Sequence, residues 1–204
     1  MYLTAAGVGN ITLVDDDKVD LTNLQRQIVH RTANIGKPKV ESAAASLQQL
    51  NSATSLILVD KRLDATELSE QISNTDVVVD CTDNFTTRFT LNKLCVQHKK
   101  PLVSGAAIRL EGQLSIFDSR QPESPCYRCL YAEIDDENLS CAQSGVLSPV
   151  VGVIGTLQAV ETIKLIVGFG ESLAGRLQLY DAKQGTWREF KLNKDPNCPV
   201  CRAN

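Results

Sequence analysis

The sequence predicts an α/β chain built on an open, doubly wound, mostly parallel sheet. Three observations carry this. Short β-branched runs alternate with helix-length segments through most of the chain. One run, Asp76-Val77-Val78-Val79-Asp80, is apolar throughout between its acids, as a strand covered on both faces requires. Polar and acidic residues follow the strands directly, where sheets of this type bind their ligands.

In chain order, Met1 to Gly9 reads as the last turn of a helix stopped by glycines. Asn10 to Asp15 is a strand. Pro38 to Leu50 is a helix, with Pro38 near its first turn and small or apolar residues at Val40, Ala43, Ala44, Leu47 and Leu50. Ser55 to Val59 is a second strand, Thr66 to Ile72 a short helix, and Phe85 to His98 a longer one. Pro101 to Ala107 is a strand, and Gly112 to Asp118 follows it after only a short turn. Val150 to Val167 is a long core helix. Arg176 to Tyr180 and Thr186 to Leu192 are late strands with no helix between them, expected as antiparallel additions.

Composition narrows the function classes. The chain has 204 residues, 43% hydrophobic and 22% charged, an ordinary globular balance that excludes disordered, collagen-like and coiled-coil chains. A single domain of residues 1–204 is the default. The net charge of −3 offers no basic excess for phosphate neutralisation, so nucleic acid is not an expected partner. The apolar stretch between Gly145 and Gly170 is interrupted by Ser148, Pro149, Gln158, Glu161 and Lys164, which argues against a membrane span. With no signal-peptide pattern at Met1-Tyr2-Leu3-Thr4, the expected location is cytoplasmic. Seven cysteines in such a compartment point to metal or thiol chemistry rather than a disulfide scaffold.

Several motifs carry chemistry. Val14-Asp15-Asp16-Asp17 places carboxylates at a strand end, where they can accept ribose hydroxyls; a solvated acidic turn is the bland alternative. Asn23-Leu24-Gln25-Arg26-Gln27 offers a guanidinium that can fork onto a phosphate, and Lys39 a point charge beside a helix start. Asp80-Cys81-Thr82-Asp83-Asn84 follows the most apolar strand. Two carboxylates there suit Mg²⁺, although Asn84 can cap the next helix and Asp80 can fix the turn. Cys126-Tyr127-Arg128-Cys129 and Cys198-Pro199-Val200-Cys201 are two C-x-x-C pairs. Together they supply four thiolates for a structural Zn²⁺, whereas a redox pair would open a helix in a thioredoxin-like unit. Cys81 and Cys95 read as packed thiols. Cys141 lies in a polar loop-like stretch and is either a nucleophile or idle. His30 and His98 have no partner pattern.

Taken together, these segments resemble the MoeB/ThiF/HesA family, bacterial relatives of ubiquitin-activating enzymes. The resemblance rests on Ala6-Gly7-Val8-Gly9, Leu13-Val14-Asp15-Asp16-Asp17, Asn23-Leu24-Gln25-Arg26-Gln27, Pro38-Lys39, Asp80-Cys81-Thr82-Asp83-Asn84, Gly152-Val153-Ile154-Gly155 and both C-x-x-C pairs, in family order over essentially the whole chain. It implies a Rossmann-like, ThiF-type nucleotide-binding domain and an adenylyltransferase. Such an enzyme uses ATP and Mg²⁺ to adenylate the C-terminal glycine of a small β-grasp sulfur carrier, MoaD-like or ThiS-like, in molybdopterin or thiamine biosynthesis. A sulfur donor, a cysteine desulfurase or rhodanese-like protein, then yields the thiocarboxylate, and the enzyme is a homodimer. Carried over by motif, Asp15 and Asp17 lie by the ribose, and Asn23, Arg26 and Lys39 hold phosphates. Asp83 holds Mg²⁺, Cys126, Cys129, Cys198 and Cys201 bind Zn²⁺, and Cys141 matches a thiol that is covalent in some members and dispensable in others. The family's Gly-rich loop, its leading strand and an N-terminal arginine fall before the matched segment. The expectation is therefore a domain lacking them, with weakened ATP binding by these 204 residues on their own. A zinc-stabilised module that only docks a β-grasp partner is the alternative; a nicotinamide-dependent oxidoreductase ranks last, without a G-x-G-x-x-G fingerprint.

Overall fold

The computed structural model describes residues 1–131 and 145–202. The chain divides into two compact units, Met1–Asp64 and Ala65–Asn204.

In the first unit, α1 (Tyr2–Ala5) ends at Gly7, whose φ of 87° is the left-handed conformation that closes a helix. β1 (Asn10–Val14) pairs in parallel with β2 (Ser55–Val59), Asn10 opposite Ser55. A parallel pair needs a crossover, and α2 (Lys39–Leu50) supplies it, with Pro38 at its N-cap. Val40, Ala44 and Leu47 recur at helical spacing and are buried, so α2 packs one face inward.

The second unit holds one five-stranded sheet in the order β3 (Val78–Asp80), β4 (Pro101–Ile108), β5 (Glu111–Asp118), β6 (Arg176–Asp181), β7 (Thr186–Lys191). α3 (Ala65–Ser73) and α4 (Phe85–Gln97) flank β3 in sequence, and α5 (Tyr127–Leu130) opens the first C-x-x-C turn. α6 (Ser148–Val167) stops at Gly168, φ 77°. Alternation along the strands splits the core between the two faces of the sheet. Leu102 and Phe117 pack with Leu91, Leu94 and Tyr127 on the α4 side. Val103, Leu114 and Ile116 pack with Leu157 and Leu165 on the α6 side.

The α/β class and the antiparallel late strands match expectation. The mostly parallel sheet is corrected to a mixed one. β1–β2 and β3–β4 are parallel, but β4–β5, β5–β6 and β6–β7 are antiparallel; short turns join β4 to β5 and β6 to β7, whereas the long segment carrying α5 and α6 lies between β5 and β6. The strand expected from Asp76 is also shorter and only half-buried through Val78 and Val79; it pairs on one side, with β4. α6 is the one helix among the described residues long and apolar enough to cross a membrane. It nonetheless buries Gln158 and Glu161, and the Glu161 carboxylate accepts from Leu173 N at 2.9 Å.

Candidate functional site

In the first unit, β1 ends at Val14 and delivers three carboxylates to the turn after it, with one oxygen of each within 4.8 Å of the others. Asp17 N–H donates to Asp15 Oδ1 at 2.9 Å, and Lys39 N–H donates to Asp17 O at 2.9 Å, folding the turn onto the start of α2. The Lys39 ammonium is buried there. Its Nζ is 2.7 Å from Asp17 Oδ2 and 3.7 Å from Asp15 Oδ2. One cation against neighbouring carboxylates offsets their mutual repulsion, while Asp17 stays exposed for a ligand hydroxyl. Behind Lys39, His30 is buried with Nδ1 2.9 Å from Ser42 Oγ, which also accepts from Asn34 Nδ2. Burial pushes the His30 pKa down, the Lys39 charge adds to this, and Asp15 opposes it.

Asn23 and Arg26 sit on a separate turn. Asp20 caps its first residues by accepting from Thr22 N and Oγ1, and the Arg26 guanidinium donates to Thr22 O at 3.2 Å. Among the described residues these two make no hydrogen bond or ion pair with the Lys39 cluster. Of the five first-unit candidates, the structure brings Asp15, Asp17 and Lys39 together.

In the second unit, β3 runs into a heavily tied turn. Asp80 is 1% exposed and fixes it: Oδ1 accepts from Thr82 N and Thr82 Oγ1, and Oδ2 from Ser104 Oγ at 3.1 Å. The Arg88 guanidinium donates twice to Thr82 O, and its Nε lies 3.9 Å from Asp80 Oδ2. Asn84 caps α4, accepting from Thr87 N at 2.8 Å. None of these bonds uses the Asp83 carboxylate, which is exposed at the tip. Asp83 thus offers a solvated carboxylate on a fixed turn, a donor suited to Mg²⁺, which keeps several waters beside one or two carboxylates. Cys81 was expected to be packed in the strand. It lies one residue past the strand, in the turn, where the residue is exposed while its thiol turns inward onto Gln158 Oε1 at 3.7 Å and burial pushes it up to about 11, with the Asp80 charge adding to this. Cys95 is packed as expected, and burial raises its thiol to about 12, with the Asp80 charge adding to this.

The two C-x-x-C turns meet. Sγ of Cys126 is 3.7 Å from that of Cys198 and 4.0 Å from that of Cys129, and Cys129 Sγ is 3.5 Å from Cys201 Sγ. Disulfide sulfurs stand about 2.05 Å apart, whereas four thiolates at about 2.3 Å from one Zn²⁺ stand about 3.8 Å from each other. The donor set fits a tetrahedral zinc. Asp195 N–H points at Cys129 Sγ (3.4 Å) and Asn92 Nδ2 at Cys126 Sγ (3.6 Å), outer bonds of the kind that orient ligating thiolates. Cys141 lies outside the described residues.

Sequence reasoning missed Ser104, Arg88 and Gln158. Ser104 and Arg88 look like ordinary strand and helix residues until the turn is seen. Gln158 left one signal, an amide at a buried position of an apolar helix.

The ThiF family model matches residues 1–200. The chain belongs to the ThiF family. Among its relatives are two Escherichia coli proteins. The molybdopterin-synthase adenylyltransferase is 48% identical over 98% of this chain and 80% of its own length. The sulfur carrier protein ThiS adenylyltransferase is 43% identical over 98% and 79%. The Aedes aegypti adenylyltransferase and sulfurtransferase MOCS3 is 44% identical, this chain spanning 47% of it. The crystal structure of E. coli MccB with ATP superposes with a TM-score of 0.83 at 23% identity, covering 98% of this ThiF-family chain and 63% of MccB, which is a likeness of fold.

Proposed function

We propose that this ThiF-family protein adenylates the C-terminal glycine carboxylate of a small β-grasp sulfur carrier, MoaD-like or ThiS-like. The carboxylate attacks the α-phosphorus of ATP, an acyl-adenylate forms and pyrophosphate leaves. The observation that carries the reading is the buried Lys39 ammonium seated on Asp15 and Asp17, in a chain so close to the two E. coli adenylyltransferases.

The nucleophile is already an anion, so no general base is required. The barrier is repulsion between that anion and the triphosphate, together with the charge gathering on pyrophosphate. Lys39 and Arg26 supply positive charge against it, with Asn23 as a neutral donor. Asp17, exposed and already oriented by its bond to Lys39, accepts from a ribose hydroxyl, and Asp15 shares that role. In the second unit, Asp83 would hold Mg²⁺, which screens phosphate oxygens when bound. Cys126, Cys129, Cys198 and Cys201 would hold a structural Zn²⁺ that fastens the C-terminal turn to α5. Asn92 supports it by donating to Cys126 Sγ and accepting from Tyr127 N at 2.8 Å. The sulfur of a donor then attacks the acyl carbon and displaces AMP, giving the thiocarboxylate once the donor lets go of that sulfur, and the protein acts in the cytoplasm as a homodimer.

ATP–pyrophosphate exchange tests the reading. Exchange should depend on an added MoaD-like or ThiS-like carrier and vanish when the carrier's terminal glycine is removed. Carrier binding with no exchange would replace the proposal with a docking module.

A further inference from the structure

Gln158 sits on α6 at the one place where this helix offers the sheet an amide instead of an aliphatic side chain. It is 4% exposed. Its Nε2 donates to Asp80 O at 2.8 Å and to Val103 O at 3.3 Å, and its Oε1 accepts from Cys81 Sγ at 3.7 Å. Asp80 is the last residue of β3, and Val103 lies in the neighbouring strand, one position before the residue paired with Asp80. The amide therefore ties the end of β3 to β4, and holds the first residue of the turn that follows.

The surroundings leave space for this contact. A Cβ on Gly105 would lie 2.4 Å from Gln158 Cδ, so glycine there gives the amide access to the strand backbone. Apolar packing of α6 is supplied by other residues, Leu157 and Leu165 on the core and Ile154 against Gly112. A leucine at 158 would be as buried but would leave the Asp80 carbonyl without this donor.

We propose that Gln158 is a positioning residue for Asp83. It fixes the backbone where β3 stops, and so fixes the carboxylate three residues further on. This rests on the reading of Asp83 given above. Asp80, Arg88 and Asn84 set the shape of the turn from within; Gln158 sets where the turn stands on the sheet.

The test uses Gln158→Met, which keeps length and removes both hydrogen-bonding functions, and Gly105→Ala, which retains the amide but displaces it. Two readouts are taken on the whole protein: amide hydrogen exchange resolved by peptide, and carrier-dependent ATP–pyrophosphate exchange titrated with Mg²⁺. Faster amide exchange confined to the 78–84 and 102–105 segments is expected. The Mg²⁺ concentration for half-maximal activity should rise about tenfold, with a smaller fall in the plateau rate. General destabilisation would lower the plateau at every Mg²⁺ concentration and speed amide exchange throughout the second unit. That pattern, or an unchanged Mg²⁺ half-saturation in a folded variant of an active protein, overturns the inference. A wild-type protein with no exchange activity removes the functional reading itself, and this inference with it.

Discussion

The Lys39 ammonium lies 2.7 Å from the Asp17 carboxylate although the Lys39 side chain is 9% exposed, in α2's first turn, and that of Asp17 is 68% exposed. The pair is therefore oriented from the inside, with its open side on Asp17. Such an arrangement contributes little to stability, since an exposed partner screens the attraction to about 1 kcal/mol or less. Its chemical value is a pre-aimed cation in the turn where a nucleotide is expected.

Lys39→Ala should accordingly lower carrier-dependent exchange about 100-fold or more, the usual scale for removing one charge-stabilising group. Chemical denaturation should show a loss of about 1–2 kcal/mol, most of it from the buried aliphatic stem and little from the ion pair. Lys39→Arg should not restore full activity, because the buried pocket holds a single compact ammonium. An alanine variant with near wild-type exchange would detach Lys39 from the mechanism.

Asp80 and Asp83 should separate cleanly. Asp83→Ala should abolish exchange in a protein that melts normally, since none of the turn's own bonds uses that side chain. Asp80→Ala removes an acceptor of three hydrogen bonds in a buried position beside Arg88. It should cost about 2–4 kcal/mol of stability, read by denaturant titration. Equal destabilisation by both variants would contradict the division of labour in this turn.

Purified protein should carry about one Zn²⁺ per chain, by the four-thiolate rule. Cys198→Ser should lose the metal and expose the 126–131 and 195–202 segments to protease, and leave the reactivity of Cys141 intact. A folded, stable protein free of metal would refute the zinc site.

Stability of the first unit should fall as the solution is acidified below about pH 6.5. His30 has an unfolded value of 6.5 and a lower folded one, so the unfolded chain binds its proton first. The contribution is full above 6.5 and is lost as pH drops through the folded value. Its slope cannot exceed about 1.4 kcal/mol per pH unit for one proton. Comparing the wild type with His30→Asn isolates it; identical pH slopes would remove His30 as the source.

Much of this was legible in the sequence. Strand and helix periodicities placed most elements, because each buries a face whose spacing shows in the residues. C-x-x-C spacing announced the thiolate cluster, since a tight turn aims two sulfurs at one point wherever it occurs. The mixed sheet was less visible: a strand of three residues, Val78 to Asp80, and a hairpin turning on Arg109 at φ 54° depend on partners elsewhere in the chain. Hidden most completely were Gln158 and Ser104, whose hydrogen bonds to Asp80 cross long stretches of sequence and leave no local pattern.

The most direct measurement is the intact mass of the carrier after incubation with the protein, ATP and Mg²⁺, without a sulfur donor. The account predicts that the carrier gains one adenylyl group, carried by the carboxylate of its last glycine, with pyrophosphate released in step. A carrier of unchanged mass, or ATP split to ADP and phosphate, would contradict it.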